Sequence, residues 1–262
     1  MWKSLALAGI LLAGAGSAFA QNTSLLSRIF ATQQLRVCIW PDYFAISYRN
    51  PRSRQLEGFE IDNANALARA LGVRVQFVDS SFSHLVEDLE TDRCDLAMFA
   101  IGVTEARQTQ LRFSQPHLVS DVYGITAQSN RRVKDWSDID KFGTVVVVAK
   151  GTLHEPLMRA RLTAATLVVV DSPAAREKEV QSGRADVFMT DFPFSRRMLA
   201  QNDWARLVAP TSTFNLTPYA WAMRPGDNIF FERVEKELAA MKADGRLLRN
   251  AQRHGLAPIV AR

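Results

Sequence analysis

The chain has 262 residues, with 32 Lys and Arg against 27 Asp and Glu, for a net charge of +5. The two signs are interspersed, with only short RR doublets at 131–132 and 196–197. The basic excess therefore reads as solubility rather than a nucleic-acid surface, and no nucleic-acid partner is expected. Four His and two Cys stand at no metal-ligand spacing, so neither a metal site nor a cofactor is expected.

Residues 1–20 combine Lys3, a short apolar stretch and the small-x-small pattern of Ala18 and Ala20. That is the pattern of a signal peptide cleaved after Ala20, and it implies that the rest of the chain is exported. Its loss removes one charge, Lys3, and leaves +4. No later run is long and apolar enough to cross a membrane.

LRVCIW (35–40) predicts a first strand, and Ala64, Leu67, Ala68 and Leu71 share one helical face. VRVQFV (73–78) alternates as a strand, Phe82–Leu89 reads as helix, and DLAMFAI (95–101) as a buried strand. DVYGITA (121–127) then crosses to a second series. This holds strand TVVVVAK (144–150), helix LHEPLMRARL, strand TLVVVD (166–171), a helix starting near Ser172, and strand ADVFMT (185–190). TPYAWAM (217–223) returns the chain, and a last helix carries Phe231, Val234, Leu238 and Met241 on one face and stops at Gly245. Strands alternating with helices imply an α/β fold with parallel strands, here in two lobes around a cleft.

Several residues follow strand ends, where open α/β sheets bind ligands. Arg107 is either a surface cation or a carboxylate anchor. Thr152 and Glu155 form a capping box whose helix start attracts anions. Asp191 either caps the next helix or accepts a ligand ammonium. Trp40, Tyr43 and Phe82 are either core or pocket wall. Cys38 and Cys94 are either a disulfide or two small buried core residues. No hydrolase elbow, zinc-protease helix, phosphate loop or dinucleotide fingerprint is present, and His84, His117, His154 and His254 have no catalytic partner in sequence. The neighbours of His154 favour a helix surface.

Five segments in order resemble the extracellular solute-binding proteins, family 3, the polar amino-acid receptors of ABC importers. LEGFEIDNANALARALG resembles the GF-[DE]-x-D helix, and GVTEARQTQLRFSQPH the T-x-x-R…F-S-x-P-Y segment. KGTLHE resembles the GT-x-x-E turn, SGRADVFMTD the G-x-x-D-x-x-x-x-D segment, and MKADGRLLRNAQRHG the C-terminal helix. The resemblance implies a two-lobed periplasmic-binding-protein fold (type II), monomeric, serving an ABC permease at the inner membrane. Lobe 1 would comprise 21–122 plus 223–262 and lobe 2 127–217, with hinges near 121–127 and 217–223.

It also implies that Arg107 clamps the α-carboxylate of an amino-acid-like ligand, helped by Thr152 and the backbone near Gly102. Asp191 would receive the ammonium, and Tyr43 and Phe82 would enclose the side chain. Departures are Asn63 in the helix signature, Ala100 and Gly102 where Ser is common, and His117 where Tyr is usual. Trp40 stands where receptors for basic amino acids carry Asp, which argues against lysine, arginine or histidine as ligand. Two other readings stay open. The RIxxxxxLRV start and the D-Y…SYR stretch resemble secreted cyclohexadienyl dehydratases, in which Glu155 would be the acid or base. The LRVC strand is similar to that of accessory proteins of periplasmic quinoprotein dehydrogenases.

Overall fold

The structure, a computed structural model, describes residues 24–261, so the leader at 1–20 lies outside it. The chain begins with α1 (Leu25–Thr32) and β1 (Gln34–Ile39), then a small antiparallel ribbon of β2 (Asp42–Tyr43), β3 (Ser47–Arg49) and β4 (Leu56–Glu57). There follow α2 (Phe59–Leu71), β5 (Arg74–Asp79), α3 (Leu85–Glu90), β6 (Leu96–Gly102), α4 (Glu105–Gln108), β7 (Arg112–Phe113) and β8 (Leu118–Ser120). A second series holds β9 (Val122–Ala127), β10 (Val145–Ala149), α5 (His154–Arg161), β11 (Thr166–Val170), α6 (Pro173–Gln181), β12 (Val187–Asp191), α7 (Phe192–Gln201) and β13 (Ala205–Val208). The chain ends with β14 (Thr217–Met223), α8 (Asn228–Ala243) and α9 (Arg246–Arg253).

Two sheets carry the architecture. The first runs β5-β1-β6-β14-β7, with β8 also on β14; β1 is parallel to β5 and β6, and β14 is antiparallel to its neighbours. The second runs β11-β10-β12-β9-β13, parallel as far as β12 and antiparallel beyond it. In both sheets the middle strands are largely apolar because both faces are covered. β6 is buried at every position and β12 likewise.

The segments 121–127 and 217–223 are largely strands β9 and β14, each inside a sheet. The passages between sheets fall at Asp121 and at 209–216. One carboxylate ties them: Asp121 accepts from Phe214 N at 3.0 Å and Asn215 N at 2.8 Å.

Three core details were not predictable from one sequence. Cys38 and Cys94 form a disulfide, joining β1 to the turn before β6. On α8 the buried residue is Phe230, not Phe231; Phe230, Val234, Leu238 and Met241 keep helical spacing, while Phe231 lies outside beneath the Arg112 guanidinium at 3.4 Å. Glu60 of α2 is fully buried, where Trp221 Nε1 donates to it at 2.9 Å and His117 Nε2 lies 2.7 Å away. His117, the departure from the usual Tyr, thus has a partner on the signature helix. Asn63, the other departure on that helix, accepts from Asn250 Nδ2 of α9 at 2.8 Å.

Candidate ligand-binding site

The C-terminal ends of β1, β6, β10 and β12 converge on a small cavity of about 20 Å³. Five of the expected residues line it: Trp40, Tyr43, Phe82, Thr152 and Asp191. Trp40 is the hub of the aromatic wall, with ring centroids 5.0 Å from Tyr43, 5.4 Å from Phe82 and 6.4 Å from the stacked Phe194. Across the β6–β14 pair the register shifts, so that Ile101 faces Ala220 but Ala97 faces Ala222. Within that irregularity Ala100 takes φ 51°, a left-handed conformation, and lines the cavity.

Arg107 and Gly102 stand beside the cavity rather than in its lining. The Arg107 guanidinium donates from Nη1 to Gly102 O at 2.9 Å and from Nη2 to Gly151 O at 3.0 Å, and its carbon lies 5.6 Å from the Phe82 ring centroid. It thereby joins the end of β6 in the first sheet to the turn after β10 in the second. No carboxylate oxygen of the described residues comes within 4.0 Å of it. Burial lowers its pKa to about 10, the nearby Tyr219 and Tyr43 acting in the opposite direction.

Asp191 is both cap and cleft residue. Oδ1 accepts from Phe194 N at 3.1 Å, capping α7, while Oδ2 accepts the Tyr219 hydroxyl at 2.9 Å and a short bond from the Tyr43 hydroxyl. Burial raises its pKa, and these three donors oppose the rise. Burial likewise holds both phenols well above the ordinary tyrosine range, so they remain donors. Because Tyr43 and Tyr219 belong to the first sheet's half and Asp191 to the second, these bonds hold the cleft closed.

The capping box does not form. Thr152 Oγ1 donates to Ala149 O at 2.7 Å, and α5 starts one residue later with Leu153 at its N-cap. Glu155 accepts from Gly151 N at 3.0 Å and pairs with Arg159 at 3.2 Å, outside the cavity lining. Gly151 itself has φ 76°, and a Cβ there would sit 2.8 Å from Ser83 N and Cα on the opposite half. Gly151→Ala is therefore expected to wedge the halves apart, weakening ligand affinity by about tenfold or more with little change in secondary structure. Titration calorimetry and solution scattering check this; an unchanged affinity and radius of gyration would contradict it.

His154 is not on a helix surface: it is 5% exposed, lines the cavity, and neither ring nitrogen has a hydrogen-bond partner among the described residues. Burial, reinforced by the charges of Arg176 and Arg107 and opposed by the Thr190 backbone, lowers its pKa from 6.5 to about 3. The fold accepts only the neutral ring, so its contribution is complete above pH 6.5 and is lost as the pH falls toward about 3. Wild type should lose stability in that window by up to about 1.4 kcal/mol per pH unit relative to His154→Gln. Parallel denaturant curves for the two proteins across that window would expose a missing slope. Arg176, Tyr219 and Phe194 also line the cavity and carry no local sequence signal.

A family profile for bacterial extracellular solute-binding proteins, family 3, matches residues 35–257. The chain belongs to that family. This solute-binding protein is 32% identical over 252 residues to a cyclohexadienyl dehydratase of Pseudomonas aeruginosa, covering 96% of this chain and 92% of that one. It is similar in structure to the ancestral amino acid-binding protein AncCDT-1, described as a precursor of cyclohexadienyl dehydratase. That likeness has TM-score 0.80 and 29% identity over 88% of this chain and 99% of the other. A binding component of an ABC transporter from Wolinella succinogenes, complexed with lysine, matches with TM-score 0.77 and 26% identity over 84% and 95%.

Proposed function

We propose that this solute-binding protein captures a small carboxylate ligand, amino-acid-like in size, and presents it to an ABC permease at the inner membrane. Arg107 carries the reading: a partly buried cation without a carboxylate partner among the described residues, bridging backbone carbonyls of both halves. A ligand carboxylate arriving there gains two charge-assisted hydrogen bonds and draws the halves together. Thr152 and the backbone at Gly102 are the neighbouring contacts, and Trp40, Tyr43 and Phe82 cover the ligand body. Asp191 takes an ammonium only where one competes with the Tyr43 hydroxyl. The halves, divided at Asp121 and 209–216, act as lobes 1 and 2 about a two-strand hinge, as a monomer exported after cleavage at Ala20. Titration calorimetry across amino acids and simple carboxylates tests this; a protein that binds none of them is not a receptor of this kind.

The similarity to a dehydratase keeps an enzyme as the second reading. It requires an acid at the ligand, and Glu155 is instead committed to Gly151 N and Arg159. We expect purified protein to leave prephenate unchanged and Glu155→Gln to cost stability alone. Prephenate turnover that disappears in Glu155→Gln would reverse this assignment.

A further inference from the structure

Arg176 has no part in the scheme above. It projects from α6 with 3% of its surface exposed, between the rings of Phe188 and Phe194, each 4.6 Å from the guanidinium carbon, and it lines the cavity. A guanidinium offers five N–H donors. Here Nη1 donates to Met189 O at 2.8 Å, while Nε is buried with no partner among the described residues. The Nε–Nη2 edge, the one suited to a two-pronged carboxylate contact, is thus unused.

The nearby acidic groups Glu177 and Asp191 favour its charge through space, but neither hydrogen-bonds to it. Glu177 pairs with Arg197 at 4.0 Å, and Asp191 is committed to two phenols and a helix amide. His154 stands in the field of both Arg176 and Arg107, with the Thr190 backbone as its one polar neighbour and no close hydrogen bond to either ring nitrogen among the described residues. The lining carries one cation, Arg176, and one anion, Asp191, and Arg107 beside it adds a further positive charge. A cation enclosed this way is costly unless an anion completes it.

We propose that Arg176 and His154 form a second anion site on the second-sheet wall, so that the ligand is a dicarboxylate. One carboxylate sits on Arg107 and the other on Arg176, with the apolar body between them against Trp40 and Phe82. This rests on Arg107 being a carboxylate anchor. It also explains how a pocket without the acidic residue of receptors for basic ligands achieves selectivity: the second carboxylate replaces a cationic side chain.

The test uses matched acids that differ by one charge: phenylsuccinate against 3-phenylpropionate, and L-glutamate against L-glutamine, by titration calorimetry on the full exported chain. Wild type should prefer the diacid in at least one pair by about tenfold or more. Arg176→Met should bring that ratio within about threefold without weakening the mono-acid, whereas Arg107→Ala should weaken both members. Arg176→Lys, which keeps the charge but not the fork, should give an intermediate ratio and covers the case in which the Met variant does not fold. Equal affinity within both pairs for wild type, or an unchanged ratio in Arg176→Met, overturns the second site while leaving the anchor standing. A wild type that binds none of the four acids overturns both.

Discussion

Arg107→Ala should weaken ligand binding by about a hundredfold or more, with the melting temperature of the ligand-free protein nearly unchanged. The affinity loss follows from removing one partner of a desolvated charge pair, which generally costs about 2–5 kcal/mol. The stability hardly moves because two opposing effects meet. The side chain gives up two bonds to carbonyls, and the fold is relieved of an enclosed cation whose pKa burial has already lowered to about 10. Arg107→Lys separates charge from geometry. An ammonium retains the charge but cannot span Gly102 O and Gly151 O in one plane, so it should recover only part of the affinity. Binding within about threefold of wild type in Arg107→Ala would remove the anchor from the account.

The second large effect is covalent. Replacing Cys38 and Cys94 together by alanine should cost about 4 kcal/mol, because the disulfide closes a loop spanning 56 residues of sequence. For a domain of this size that is a drop in melting temperature of about 10 °C. Both cysteines are buried, at 1% and 2% exposure, so added reductant should act only on the unfolded chain. The double variant is the proper comparison, by calorimetry at fixed pH. Cys38 lies two residues before Trp40, so some loosening of the aromatic wall should accompany the loss, seen as weaker binding. An unshifted melting temperature would mean that β1 and β6 are held by packing alone.

Much of the fold was legible, and the reason is burial. β6 and β10 read as strands because both of their faces are covered, which makes them apolar runs. The strand-end positions of Trp40, Tyr43, Phe82, Thr152 and Asp191 followed from the same reading, and the cavity brings these five together. What sequence reasoning missed depends on long-range contacts. PAAREKEVQ looks like a solvated helix, and only the packing of α6 over β12 encloses Arg176 between Phe188 and Phe194. Tyr219 sits in an apolar strand where a phenol reads as core, and its partner Asp191 is distant in sequence. The T-x-x-E spacing at Thr152 was correct as a helix-start signal, but each member took a different partner from the one a capping box supplies. The pairing of Cys38 with Cys94 depended on β1 lying beside β6, which one sequence does not reveal.

The place of β14 in the first sheet sets an order on synthesis. The second sheet is drawn from one unbroken stretch, β9 to β13, and is complete once Val208 has emerged. The first sheet is not, because β6 exposes a bare, wholly apolar edge until Tyr219 and Ala220 arrive to pair with Gly102 and Ile101. A nascent chain therefore carries one finished half beside one that stays open until its last quarter is made. Until then that edge is a row of free backbone groups open to wrong pairing. β6 is thus the segment that most needs shielding in the interval.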